Sequence, residues 1–493
     1  MTEIKSKNVT VIGLARSGVG AANLLTELGA RVTVTDTKTA AELAEFVPKL
    51  DPSVKLVLGS HPEEIFTGAD MLIVSPGVPL DIRPISLARS KGVAVVGELE
   101  LAYELATSGL RDPEVSPFVK AGSGGFLAVT GTNGKSTTTA LLDFMVKKAG
   151  FTTMLGGNIG NAVTEEIRKV LRVNTGKAKE TVSRASGPAP YDFIVVEVSS
   201  FQLESMKHFR PKIAAIVNIT PDHLDRYHSL EEYATAKARI FENQGEGDFL
   251  VLNRDDPETA RAERERLQGN PGKPKIFHFS RREEVEGLFW KAGAVYCNIP
   301  GLSPVSRPFP VIRDEEIKIK GVHNLENAMA ASAMALLAGC PIDVVIDSLK
   351  EFPGLEHRLE FVRELEGVTY FNDSKGTNVD AVIKSLESFS SPVILIAGGR
   401  DKAGDFSRLR DLVRERVKAL VLIGEAGEKI RKALGDAAAI EMAGDLRDAV
   451  HISRRRAQGG DTVLLSPACA SFDMFANFED RGRQFKQIVR EMH

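Results

Sequence analysis

The chain has 493 residues, too many for one hydrophobic core, and at about 150 residues per domain it predicts three folding units. Its 63 Lys and Arg against 66 Asp and Glu leave a formal charge of -3, which excludes a general electrostatic attraction to nucleic acid or to a membrane surface. Three widely spaced cysteines, Cys297, Cys340 and Cys469, form neither a disulfide framework nor a metal cluster. With a polar amino-terminal stretch and no apolar window of about 20 residues, they predict a protein of the reducing cytoplasm.

The first elements are an apolar run NVTVIG, a helical segment around AANLLTEL, then RVTVTD and ADMLIVS, an alternation that predicts a parallel sheet with helices between its strands. Gly13 and Gly18 flank the first strand-to-helix turn and Asp36 ends the second strand, as in a Rossmann-type fingerprint. Ala15 stands where the second glycine would let a backbone approach a pyrophosphate, which counts against a nicotinamide or flavin cofactor. Ser75-Pro76-Gly77 reads as a strand-ending turn. The pattern breaks at RDPEVSP, near residues 112–120, where a first boundary is expected.

A second series opens with AVTGTNGKSTTTALLDFM: an apolar strand, a glycine-containing turn, and a helix. Gly131 and Gly134 let backbone N–H groups converge on phosphate oxygens, the helix N-terminus adds partial positive charge, Lys135 brings a cation and Ser136 a hydroxyl for Mg²⁺. The general phosphate-loop pattern is imperfect, because Val129 occupies its first glycine position. Strands DFIVVEV, KIAAIVNIT and DFLVLN follow; Glu197 ends the first of these, where ligand sites of α/β sheets gather and where Mg²⁺ needs a hard oxygen. His223 follows the next strand, and Lys237 lies on the helix after it; taken alone, Lys237 reads as a solvated helix lysine. Between Arg172 and Pro190 the apolar period is lost, predicting a mobile surface insertion.

After a second boundary near EFPGLEHR, the runs VTYFND, PVILIAGG, ALVLIGE and DTVLLS predict a smaller doubly wound unit. Asp373 and Lys375 could form a mere surface ion pair, but they follow VTYFN, an apolar-rich strand candidate, which favours a functional role for them. His323, Asn324 and Asn327 are polar groups at the start of an otherwise apolar helix, positioned for a ligand.

The segment GTNGKST resembles the variant phosphate loop of the Mur and folylpolyglutamate ligases. NITPDHLDRY is similar to the same family's N-x-T-x-D-H-x-D-R-Y stretch, and His357-Arg358 and NDSKGTN to further motifs. GGRDK and LSPACASFDMFANFEDRGRQF resemble the D-glutamate-adding branch of the Mur ligases. The resemblance runs through the chain apart from residues 173–190 and stretches between 260 and 315. It implies an α/β fold of three domains: a Rossmann-like UDP-binding domain at 1–114, a central ATPase-like parallel-sheet domain at 115–354, and a carboxyl-terminal Rossmann-like domain at 355–493 that closes over ATP and D-glutamate. The implied activity is ATP-dependent formation of an amide between UDP-N-acetylmuramoyl-L-alanine and D-glutamate through an acyl phosphate, with no nucleic-acid or membrane partner and a monomeric protein.

The resemblance also assigns residues. Gly131, Thr132, Asn133, Gly134, Lys135, Ser136 and Thr137 would hold the ATP phosphates, joined by Asn324, Asn327, Arg358 and Asp373. Ser136 and Glu197 would bind one Mg²⁺, and His223 with a carbamylated Lys237 a second. Lys375 completes a catalytic set with Lys135, Glu197, His223 and Lys237. Arg16, Ser17, Asp36, Thr37, Lys38, Ser75, Gly77, Asn158, Ser199 and Gln202 would contact the nucleotide-sugar substrate, and Thr377, Lys402, Ser471 and Phe478 would receive D-glutamate. Lys38 replaces a family arginine and Pro221 an acidic residue found in some members. Three rival readings are a ligase for another amino acid, a nicotinamide oxidoreductase built on Gly13, Gly18 and Asp36, and a nucleotide sensor without catalysis. GTNGKST and Ala15 count against the oxidoreductase, the tail against other acceptors, and the Lys135, Glu197, His223 and Lys237 set against the sensor.

Overall fold

Continuous aliphatic runs such as Phe193–Glu197 have side chains on both faces that avoid water, so they are stable only in the middle of a sheet covered on both sides. A computed structural model describes residues 4–107, 124–174, 191–223, 226–267, 272–302, 308–389, 391–401 and 404–492. RDPEVSP, Lys402 and residues 175–190 of the polar insertion lie outside the described residues.

The first sheet contains β1 (Asn8–Ile12), β2 (Arg31–Asp36), β3 (Lys55–Leu58), β4 (Met71–Val74) and β5 (Ala94–Gly97). Its order is β3-β2-β1-β4-β5 and every pairing is parallel. Chain order reverses between β1 and β4, so their carboxyl ends flank a crevice of the kind that binds nucleotides. Gly18, in the helix Arg16–Glu27, is obligatory: a Cβ there would lie 2.1 Å from the carbonyl oxygen of Gly13.

The second sheet comprises β6 (Gly125–Thr130), β7 (Thr153–Gly157), β8 (Phe193–Glu197), β9 (Ile213–Ile216), β10 (Phe249–Asn253), β11 (Lys275–Ser280), β12 (Gly287–Lys291), β13 (Ala294–Cys297) and β14 (Phe309–Arg313). The order is β14-β13-β12-β11-β10-β9-β6-β8-β7; pairings from β7 through β12 are parallel, and β12, β13 and β14 pair antiparallel. The first and second sheets share a core in which Leu24, Leu99 and Ala102 meet Phe126, Ile194 and Ile216. They accordingly form one compact unit, Met1–Glu316 with Glu326–Lys350.

The other unit is Ile317–Leu325 with Glu351–His493. Its sheet holds β15 (Glu360–Leu365), β16 (Val368–Asn372), β17 (Val393–Gly398), β18 (Val417–Ile423), β19 (Ala439–Met442) and β20 (Thr462–Leu465), ordered β15-β16-β20-β17-β18-β19. Only β15 is antiparallel, turning into β16 through Glu366 (φ +50) and Gly367 (φ +75), a two-residue turn whose positive dihedrals match the strand twist. Along β17, Val393, Leu395 and Ala397 enter one core while Ile394 and Ile396 enter another, so both faces are covered. Among the described residues no helix is long and apolar enough to cross a membrane.

Candidate active site

β6 feeds a turn that only glycine tolerates at two points: Gly131 has φ +153 and Gly134 φ +82. A Cβ on Gly134 would lie 2.1 Å from Oδ1 of Asn327, which also accepts from the Thr138 hydroxyl at 3.3 Å. Asn327 thus packs beneath the loop. The helix Lys135–Lys148 starts immediately after it, carrying half-buried Ser136 and buried Thr137 in its first turn. Lys135 Nζ donates to the carbonyls of Gly131 (2.9 Å) and Thr132 (2.8 Å). Asn218, which had been only one letter of a motif, frames the loop: its Oδ1 accepts the Asn133 N–H at 2.9 Å and its Nδ2 donates to the Asn133 carbonyl at 3.0 Å.

Glu197 stands on β8 level with Val129 of β6, two residues before the loop, and is 1% exposed. Its Oε1 accepts from Asn158 Nδ2 at 2.8 Å, while its Oε2 is buried with no partner among the described residues. An unsatisfied buried carboxylate oxygen is costly, and this one has the capacity to accept a further donor or to bind a cation. Ser199 and Gln202 grip each other in a capping box at the helix Ser200–Glu204, with the Ser199 N–H 2.9 Å from Gln202 Oε1. These two side chains therefore have a local structural task that the sequence reading did not anticipate.

Lys237, on the helix Leu230–Ala238, is no solvated lysine. It is 1% exposed, donates to the Gly131 carbonyl at 2.7 Å, and lies 4.5 Å from the centroid of the Tyr233 ring. Burial, and next the charge of Lys135, hold its amine well below the usual lysine range. The His223 ring is 6.3 Å from the same Tyr233 ring; it is partly exposed, and its Nε2 lies 3.7 Å from Asp222 Oδ2. His223 lines a cleft of about 870 Å³ between the Gly77–Asp81 segment and the helices following β8 and β9.

At the amino-terminal sheet, Asp36 braces two turns: Oδ2 accepts the Leu14 N–H at 2.7 Å and Oδ1 the Lys38 N–H at 2.9 Å. Ser75 Oγ donates to the Gly13 carbonyl at 2.9 Å and Arg16 Nη1 to the Gly160 carbonyl at 3.1 Å. Arg16, Asp36, Ser75 and their neighbours Ser17, Thr37, Lys38 and Gly77 gather at the carboxyl ends of β1, β2 and β4.

In the carboxyl-terminal unit a cavity of about 320 Å³ is walled by Lys320, Asn324 and Arg358 and by Phe361, Phe371 and Phe389. Apolar walls with a few polar groups suit a flat heteroaromatic base. Asn324 Nδ2 donates to the Lys320 carbonyl at 2.8 Å, and His323, kept neutral by burial with its pKa lowered to about 4, meets Ser388 Oγ at 3.2 Å.

Asp373 is buried at the end of β16 instead of paired on the surface; its Oδ2 accepts from Ser385 and Ser466 at 2.7 Å each, and desolvation raises its pKa to about 6. Lys375 Nζ lies 3.8 Å from the centroid of Phe478, the first residue of the helix Phe478–Glu491, and the Thr377 N–H donates to the Lys375 carbonyl at 2.8 Å. Ser471 is buried beside Ala470, which exchanges backbone hydrogen bonds with Arg400. The sequence reading passed over Arg481: fully buried, it donates to the carbonyls of Ser374 (2.9 Å) and Cys469 (3.2 Å), tying the loop after β16 to the loop after β20. Desolvation lowers its pKa to about 10. Its only signal was an arginine within FEDRGRQF, where four charges in eight residues read as a solvated face.

Residues 7–97 match the family described as Mur ligase MurD-like, N-terminal domain; residues 129–335 the Mur ligase middle domain; and residues 357–469 the Mur ligase, glutamate ligase domain. A relative from Geotalea uraniireducens named UDP-N-acetylmuramoylalanine–D-glutamate ligase is 44% identical over 492 residues, covering 99% of this chain and 98% of its own length. One of the same name from Citrifermentans bemidjiense is 45% identical over 492 residues, with 99% and 98% covered. The fold is shared with a pseudomurein peptide ligase type C from Methanothermus fervidus (TM-score 0.56, 18% identity, 99% of this chain and 100% of that one). It is shared too with a MurF ligase from Thermotoga maritima solved in complex with ADP (TM-score 0.58, 15% identity, 99% and 96%). In domain content, sequence and fold, this chain belongs to the Mur ligase family.

Proposed function

We infer that this chain is an ATP-dependent ligase that forms the amide bond between UDP-N-acetylmuramoyl-L-alanine and D-glutamate, in the building of peptidoglycan precursors. The observation that carries the reading is the Gly131 carbonyl, shared by Lys135 and by a buried Lys237, at the end of a strand two positions from Glu197 and its unpartnered oxygen. A phosphate loop alone would serve any nucleotide-binding protein; this added pair of groups is suited to gathering charge around a transferring phosphoryl.

A carboxylate is too poor an acylating agent to react with an amine directly. The alanyl carboxylate of the nucleotide substrate attacks the γ-phosphorus of ATP, an O–P bond forms, ADP leaves, and an acyl phosphate results. The loop N–H groups and Lys135 stabilise the charge spread over the transferring oxygens. The free amine of D-glutamate then attacks the activated carbonyl, the tetrahedral intermediate expels phosphate, and the ammonium proton is lost. We assign Lys375 to the acyl-phosphate oxygens and Thr377, Lys402, Ser471 and Phe478 to D-glutamate, whose two carboxylates need such donors when removed from water. Arg358 and Asp373, with Asn324 and Asn327, are assigned to ATP, and the residues around Asp36 and Ser75, with Asn158, Ser199 and Gln202, to the nucleotide sugar. The corresponding domains are 1–114 for the nucleotide sugar, 115–354 for ATP, and 355–493 for ATP and D-glutamate.

The donors fit Mg²⁺, which takes hard oxygen ligands: the Glu197 oxygen without a partner among the described residues and the Ser136 hydroxyl. When bound, the metal supplies neutralisation of crowded phosphate oxygens. A second site is proposed through His223 and a carbamate on Lys237. The support is the lowered basicity of Lys237: only a neutral amine attacks CO₂, forming the N–C bond and releasing a proton, and burial favours the neutral form of this amine. We further propose a monomer acting in the cytoplasm, where ATP is supplied; light scattering checks the first.

The test is phosphate release from Mg·ATP with UDP-N-acetylmuramoyl-L-alanine, comparing D-glutamate with L-glutamate, D-alanine, L-lysine and no acceptor. Release that depends on D-glutamate supports the reading, and preference for another acceptor overturns it.

A further inference from the structure

His223 differs from the other non-glycine site residues in its backbone: its φ of +55 lies in the left-handed region, which a residue with a Cβ occupies only where its surroundings hold it. Its carbonyl accepts the backbone N–H groups of both Arg226 and Tyr227, at 3.0 Å each. The side chains of those same two residues converge on one carboxylate. Arg226 Nη2 lies 2.6 Å from Glu204 Oε2, and the Tyr227 hydroxyl donates to Oε1. Glu204 is itself fixed as the last residue of the helix Ser200–Glu204, where its carbonyl accepts from Arg239 Nη1 at 2.6 Å. The Arg226 guanidinium then lies 4.3 Å from the centroid of the Phe201 ring, and that ring meets the His223 imidazole at 4.8 Å in an edge-on arrangement.

We propose that Glu204 is a positioning residue for His223: by holding Arg226 and Tyr227 together it fixes the two N–H groups that the His223 carbonyl accepts and the orientation of the histidine ring. The inference deepens the reading above and rests on His223 being a metal ligand. A carboxylate is the group this task needs, because each oxygen accepts from one donor and the arginine bond is charge-assisted. An amide in its place is uncharged and offers one oxygen and one NH₂, so the arginine bond loses its charge assistance and the Tyr227 hydroxyl must turn from donor to acceptor. Groups that orient a metal-binding histidine change metal affinity without touching the metal, by about 10- to 100-fold.

The experiment uses the full chain with Glu204→Gln and Tyr227→Phe, and His223→Asn as reference. The ¹⁵N-imidazole resonance of His223, identified by its loss in His223→Asn, is followed in metal-free protein, and turnover is measured against Mg²⁺. The expected result is a shifted or broadened His223 resonance in both variants and a half-saturating Mg²⁺ concentration raised about tenfold, with KM for D-glutamate unchanged. Glu204→Gln that keeps the wild-type melting temperature, His223 resonance and Mg²⁺ dependence overturns the inference. If Glu204→Gln fails to fold, Tyr227→Phe, which removes one hydroxyl and keeps the ring, carries the same readouts and the same overturning result. If His223→Asn leaves the Mg²⁺ requirement unmoved, the metal role of His223 fails and the inference with it; if it raises the requirement while the variants do not, the inference alone fails.

Discussion

Burial changes the chemistry of both Lys237 and Asp373. Lys237 loses its solvation at the Gly131 carbonyl and is held well below the usual lysine range, a shift that favours the neutral amine on which the proposed carbamate depends. Lys237→Arg keeps a cation but forms no stable carbamate. With ¹³C-bicarbonate, a carbamate carbon signal is expected in the wild type and none in the variant, and turnover is expected to fall on the order of 10²-fold. Asp373 is raised by desolvation from 3.8 to about 6, so the folded state binds its proton more tightly than the unfolded chain does. The stabilisation that follows is complete below about pH 4 and is lost as pH rises through about 6, a change of up to about 3 kcal/mol at about 1.4 kcal/mol per unit. Urea unfolding of wild type and Asp373→Asn across pH 4–8 checks it: the wild type should lose stability relative to the variant over that window.

Elements buried on both faces were legible and edge elements were not. β4, β6, β8 and β17 are nearly continuous aliphatic runs, because a central parallel strand has no face toward water. β13, β14 and β15, at or next to a sheet edge, have mixed exposure and only short apolar stretches such as AVYC; their antiparallel pairing depends on partners and turns, not on their own composition. The phosphate loop was legible because its glycines have a backbone reason. Gly134→Ala would place a Cβ 2.1 Å from Asn327 Oδ1 at a φ of +82, so the loop must move. Nucleotide affinity by calorimetry is expected to fall at least about tenfold, and stability by about 1–3 kcal/mol. An unchanged affinity would mean that Asn327 gives way without disturbing the loop.

At the scale of the whole molecule, the first two sheets share one core while the third has cores of its own. Two compact units with separate cores need not unfold together, so scanning calorimetry is expected to show more than one transition, with calorimetric enthalpy above the van't Hoff value for the full profile. A single two-state transition would show that the units melt as one.

Local chemistry was set by the sequence itself: GTNGKST, DHLDRY and the carboxyl-terminal tail carry their residues at short range, and the covalent chain fixes which of them can share a turn. The character of those residues was decided only in three dimensions, because pKa and hydrogen-bond satisfaction depend on neighbours that arrive from elsewhere in the chain. Lys237 meets a carbonyl 106 positions away, Arg481 one 107 positions away, and Glu197 holds Asn158 from a neighbouring strand end while its other oxygen is buried without a partner among the described residues. Sequence spacing cannot report burial at such separations; the sheets create it when they bring these strand ends and helices together.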